Sequence, residues 1–242
     1  MASLGNLPWR YRPARRFTAL FVGLCLYGIG MSLMISAKLG LDPWDVFHQG
    51  MARLTGASFG TVVIAVGVVV LLFWIPLRQR PGFGTIANAI VIGVVVDAVN
   101  DVLPIPHALW LRWAYALVGI VATGVASGLY IGARLGPGPR DGLMTGLATK
   151  WSGRWYGQIR VVRTAIEVTV LAIGWLMGGT VGWVTLLFAV SIGPLAHVMI
   201  PLLSVPDPAT DATVPARVTV PARVAVPPEP ARAVEAAEAT AA

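Results

Sequence analysis

Apolar residues along this chain gather into long runs rather than alternating with polar ones, and the runs are separated by short segments rich in Gly, Pro, Arg and Trp. Six runs, at about 17–36, 60–77, 84–103, 109–133, 157–178 and 182–203, each approach or exceed the roughly 18 residues that cross a hydrocarbon core. The pattern predicts an all-α membrane protein with about six transmembrane helices. Two intervening stretches are longer and more polar than a simple connection needs. They read AKLGLDPWDVFHQGMARLTG, from residue 37, and ARLGPGPRDGLMTGLATKWSG, from residue 133.

These stretches belong to an internal duplication. An offset of 96 aligns 23–52 with 119–148 without a gap, and 11 of the 30 pairs are identical, among them Gly40/Gly136, Pro43/Pro139, Asp45/Asp141 and Gly50/Gly146. Shared apolar bias does not match Gly, Pro and Asp in this way, so two repeats are expected, 17–108 and 109–203. Gly124, Gly128 and Gly132 form a small-residue stripe whose counterparts are Gly28, Ser32 and Ser36. Small residues at spacing four let helices approach closely, so the first and fourth runs should face protein along it, each other or another helix.

If the stretch at 43–55 does not cross, each repeat holds three spans, and an odd number inverts the second relative to the first. Basic residues agree: with the N-terminus inside, cytoplasmic segments hold Arg10, Arg12, Arg15, Arg16, Arg78, Arg80, Arg134, Arg140, Lys150 and Arg154, against Lys38, Arg53 and Arg112 opposite. An eight-span parallel arrangement would force Asp45, His48, Gln49 and Arg53 into one crossing that is too short and too polar. Tryptophan and tyrosine near the run ends, such as Trp9, Trp74, Trp110, Trp151 and Tyr156, fit an interfacial aromatic belt.

Composition sharpens this picture. Charged residues make up only 12% of the chain and mean hydropathy is +0.74. The net charge of +7 therefore speaks for orientation in a bilayer rather than for nucleic acid. Cys25 is the single cysteine, which excludes an intrachain disulfide and a cysteine-based metal cluster. The basic N-terminus, 1–16, followed by an apolar run resembles a signal peptide, but the run is long for one and has an internal counterpart that could not be cleaved, so a retained helix is expected. From residue 204 to 242 the chain is rich in Ala, Pro and Val, with VPARV at 214–218 and again at 220–224, and such composition predicts a disordered tail.

Asp42-Pro43 reads as a helix N-cap and first helical residue, with Asp45 in the first turn where a carboxylate suits the helix dipole. Gly138-Pro139-Arg140-Asp141 repeats the arrangement. Each repeat should thus carry a short Pro-initiated helix, re-entrant or interfacial; non-helical backbone at membrane depth is tolerated only where protein or water surrounds it. With Leu39-Gly40, Pro43-Trp44-Asp45-Val46, Gly50, Thr55-Gly56, Gly82-Phe83-Gly84-Thr85, Asn88, Ile92-Gly93 and Asp97, the chain resembles the YczE/YitT-like integral membrane proteins of bacteria over roughly 20–200. The resemblance implies a multi-pass protein of the bacterial plasma membrane and names no reaction. The second repeat departs from the motif, with Arg140 where the first has Trp44.

Polar residues inside spans are costly, about 2.5 to 3.5 kcal/mol at mid-helix for a charge, and so point to function. Asp97 lies in the third run; Arg160, Arg163 and Glu167 share a helical face in the fifth, where Arg163 and Glu167 can pair; His197 lies in the sixth and reads as a core histidine. GASFG at 56–60 matches G-x-S-x-G but lacks the strand and the Asp/His pair that pattern needs. No enzyme, cofactor or metal motif stands out. A small-solute transporter with a midplane site at the repeat interface leads, because duplicated halves with Pro-interrupted helices point to one. A non-transporting accessory or scaffold protein is the alternative. The expected solute contacts are Asp45, Asp141, Asp97, Arg163 and Glu167, with Trp44 and Arg140 as asymmetric contacts. The bilayer and an unknown small solute are the expected partners, nucleic acid is not, and oligomeric state is open.

Overall fold

A computed structural model of the chain describes residues 11–206. The described residues are helical throughout, without strands: α1 (Pro13–Ala37), α2 (Pro43–Thr55), α3 (Phe59–Trp74), α4 (Phe83–Asn100), α5 (Leu109–Gly132), α6 (Pro139–Lys150), α7 (Ile159–Leu176) and α8 (Trp183–Leu203), with a 3-10 turn at Trp155–Gly157 before α7. The two polar stretches form the short helices α2 and α6, each starting at its proline.

Four helices, α1, α4, α5 and α8, are long and apolar enough to cross a membrane, and α2 with α3 counts as a fifth candidate span, broken by a bend of 112°. This falls short of the six expected from the apolar runs. At 1.5 Å per residue the 16 residues of α3 span less than the ~30 Å hydrocarbon core, and the 18 residues of α7 carry Arg160, Arg163 and Glu167.

The core of the fold is the pair α1 and α5, which run antiparallel and are tied at both ends. Arg16, buried on α1, donates from Nε to the Ala133 carbonyl (2.9 Å) and from Nη2 to that of Arg134 (3.0 Å). Arg112, 96 positions later, donates to the carbonyls of Ala37 (2.7 Å) and Lys38 (2.8 Å) at the end of α1. Each guanidinium thus satisfies last-turn carbonyls that a helix leaves unpaired and meets the negative end of its dipole. Between the ends, Gly23 lies against Leu129 and Tyr130, and Gly30 against Gly119 and Thr123.

The small-residue stripes face other helices rather than each other. Gly124, Gly128 and Gly132 lie against Leu195, Met199 and Ser204, so α8 runs beside α5. On α1, Gly28 meets Val95 of α4, and Ser32 donates to the Val96 carbonyl (3.3 Å). Apolar area provides little drive between helices in lipid, so close approach at small residues is what holds such pairs.

The links between the first and second halves of the chain come in matched pairs. The Gly84 N–H donates to the Leu135 carbonyl (2.9 Å) and the Val184 N–H to the Leu39 carbonyl (3.2 Å). Both linkers turn through glycine at positive φ, Gly40 at 120° and Gly136 at 129°, a conformation that a side chain rarely adopts. Helix α2 packs on the end of α7, and α6 on the end of α3, with bulk exchanged between the two contacts. Val46 and Phe47 fill the space over Gly174, whereas the indole of Trp74 fills the space over Gly142. Helices α3 and α4 pack through Gly60 and Gly93; Gly193, at the corresponding place on α8, has nothing beside it among the described residues.

Ser204 to Pro206 are the described part of the expected tail. Val205 is buried and donates to the Gly132 carbonyl (3.0 Å). The remainder of that tail, and the first ten residues of the basic N-terminus, lie outside the described residues. His197, expected in the core, is exposed on α8.

Candidate functional site

Helices α2 and α6 begin beside one cavity of about 70 Å³, room for no more than a few water molecules. Trp44, Asp45 and His48 reach it from α2, and Gly138, Pro139 and Arg140 from α6. Tyr27 and Met31 of α1, Val63, Val66 and Val70 of α3, Asn88 and Ile92 of α4, and Tyr130 of α5 close it. On α1, α3 and α4 these residues come from the middle of each helix.

Local sequence sets both helix starts differently. On α2 the Asp42 carboxylate caps the helix, accepting from the Asp45 N–H through Oδ1 (2.8 Å). Gly138 at the same place on α6 has no side chain to offer, so the first turn of α6 has no side-chain cap. The indole of Trp74 fixes that turn by donating to the Pro139 carbonyl (3.0 Å).

Charges from both halves meet here. Arg140 lies over the Tyr27 ring with its guanidinium carbon 5.4 Å from the centroid, donates to the Tyr27 hydroxyl, and pairs through Nη1 with Asp42 Oδ2 at 3.6 Å. Asp141 accepts from the Tyr130 hydroxyl (2.8 Å) through Oδ2. Asp45 Oδ1 lies 3.2 Å from His48 Nδ1. Three buried polar atoms of this site have no hydrogen-bond partner among the described residues: Asp42 Oδ2 and Asp45 Oδ2, each on a residue 1% exposed, and Trp44 Nε1, on a residue 6% exposed. A buried, unpaired polar group costs about 1–3 kcal/mol, more if charged, unless water or a ligand supplies the partner.

The sequence-derived candidates divide. Trp44, Asp45 and Arg140 line the cavity, and Asp141 lies one residue beyond its wall, bonded to a lining tyrosine. Asp97 is placed at the start of α3, where it accepts from the Ser58 hydroxyl (2.5 Å) and the Gly60 N–H (2.6 Å) and acts as a helix cap supplied by α4. Arg163 and Glu167 pair at 2.9 Å on the partly exposed face of α7 and are not among the lining residues. Tyr27, Tyr130, His48 and Asn88, and Asp42 as partner of Arg140, belong to the site although none was among the expected solute contacts, and Asn88 entered only with the family resemblance. The two tyrosines face threonine and methionine in the offset of 96, so the duplication gave no signal for them.

The family of unknown function DUF6198 matches residues 14–201, nearly all of the described chain. The chain belongs to this family. Similarity to individual proteins is of the same extent. The chain is 37% identical over 190 residues to an uncharacterized protein of Haemophilus influenzae, covering 78% of this chain and 85% of the other. It is 34% identical over 188 residues to the uncharacterized membrane protein YczE of Bacillus subtilis, covering 77% and 86%. Identity to the uncharacterized protein YyaS of the same organism is 25% over 187 residues, covering 75% and 90%. No solved structure matches. The apolar helices and the likeness to YczE agree that this DUF6198 chain is a membrane protein.

Proposed function

We propose that this DUF6198 protein is a small-solute transporter of the bacterial plasma membrane, with one binding site near the bilayer midplane between two three-span repeats of inverted topology. The observation that carries the proposal is the cavity at the starts of α2 and α6, with partnerless buried polar atoms and walls drawn from the middle of α1, α3 and α4. Inversion of the halves is supported by the antiparallel course of α1 and α5, by the reciprocal Arg16 and Arg112 caps, and by the paired links at Leu135 and Leu39. In this arrangement both termini and α6 are cytoplasmic and α2 lies on the other side, as the basic residues require. Two short Pro-initiated helices meeting at a midplane site, with rigid halves that rock about it, give alternating access. The exchange of bulk at Val46–Gly174 and Gly142–Trp74 supports halves that are related but not equivalent, so that one side opens more readily than the other.

The test needs no substrate. In a Cys25→Ser background, Val66→Cys places a thiol at the cavity, and an impermeant maleimide is applied to right-side-out and to inverted vesicles. Alternating access predicts labelling from both sides. Labelling from one side only would refute it and leave the accessory role.

A further inference from the structure

From the charges around the cavity we infer its substrate class: a small protonated amine that also carries a neutral oxygen acceptor, an amino alcohol in size and chemistry. The inference rests on the transport reading for its biological sense, but binding is tested separately. Arg140 donates to the Tyr27 hydroxyl, lies over the Tyr27 ring and has Asp42 Oδ2 at 3.6 Å, an ion pair beyond hydrogen-bond distance. Asp141 is held by the Tyr130 hydroxyl at 2.8 Å. Asp45 has only His48 beside one oxygen, and its Oδ2 has no donor among the described residues. Three carboxyl groups, of Asp42, Asp45 and Asp141, therefore share one guanidinium beside a space of about 70 Å³, and Asp45 is the one that the guanidinium does not reach.

A compact ammonium group supplies what Asp45 Oδ2 lacks, N–H donors and a positive charge in a desolvated site. The rings of Trp44 and Tyr130 favour the same charge. Trp44 Nε1 is a donor without an acceptor, and a hydroxyl or ether oxygen on the same small molecule supplies one. An anion would have to draw Arg140 away from Asp42. The carboxylate of an amino acid would bring one more acceptor-only group to a site whose unpaired oxygens, Asp42 Oδ2 and Asp45 Oδ2, already lack donors.

Thermal unfolding of the purified full-length protein in detergent tests this, with ionic strength held by potassium chloride. Ethanolamine, methylammonium, sodium, glycine and acetate are the probes. The expected result is a saturable rise in Tm with ethanolamine, a weaker one with methylammonium, and none with the others. Asp45→Asn should weaken half-saturation by ethanolamine about 30-fold. Should that variant fail to fold, Trp44→Phe keeps the ring, removes the donor, and should cut the preference for ethanolamine over methylammonium by about two- to tenfold. A larger shift with glycine, acetate or sodium, or no shift with any probe, overturns the amine. Ethanolamine binding together with one-sided labelling of Val66→Cys overturns transport and leaves the amine site standing.

Discussion

Replacing Arg16 and Arg112 by methionine tests the tie between α1 and α5, because methionine keeps most of the stem volume and removes only the donors. Arg16 makes two charge-assisted bonds to carbonyls at the end of α5, at 2.9 and 3.0 Å, from a side chain 2% exposed. Each is worth about 1.5–3 kcal/mol in a buried setting, and part of that is recovered as the end of α5 relaxes, so Arg16→Met should cost about 2–4 kcal/mol. Arg112 makes the same two bonds, at 2.7 and 2.8 Å, but the outer one is exposed, and water can replace it. Its loss should therefore cost about 1–2 kcal/mol. The two sites lie about 30 Å apart along α1, so the double variant should be additive to within ~0.5 kcal/mol. In thermal unfolding, 1 kcal/mol corresponds to about 2–4 °C at this size, which places Arg16→Met roughly 4–16 °C below the parent. An Arg16→Met protein that melts with the parent, or a variant at Arg112 that costs more than the one at Arg16, would refute the reasoning.

Other substitutions separate the parts of the fold. Gly142→Ala puts a methyl into the Trp74 indole and should destabilise by about 1–3 kcal/mol, and combining it with Trp74→Phe should recover part of that loss, a coupling that a double-mutant cycle measures. Asp97→Asn weakens a cap at the start of α3, so it should lower Tm by an amount matching about 1–2 kcal/mol while leaving ethanolamine half-saturation within about twofold; a selective loss of binding would return Asp97 to the site. Leu54→Cys, after α2's last buried turn and 68% exposed, and Ser152→Cys after α6 should react with an impermeant maleimide from opposite sides of the membrane in the Cys25→Ser background, and labelling from the same side would end the inverted topology. Val205→Asp buries a charge against the end of α5 and should lower Tm by several degrees, and an unchanged Tm would show that the fold ends before Ser204.

Sequence by itself determined the class of the protein and the positions of its helices. Runs of apolar residues have one stable form in lipid, a helix that satisfies its own backbone, and Pro43 and Pro139 start α2 and α6 because proline lacks only a donor that is unpaired there anyway. The offset of 96 marked Trp44, Asp45, Arg140 and Asp141 because motif residues act locally, through the turn they occupy. Partner choice was decided only in three dimensions. Whether a glycine stripe meets α1, α4 or α8 depends on packing between helices far apart in the chain, and a bare stripe of small residues looks the same for each. A carboxylate in or beside an apolar run likewise reads alike whether it caps a helix, as Asp97 does, or faces a cavity without a donor, as Asp45 does. What separates them is the identity of the nearest N–H, and tertiary contact alone sets that.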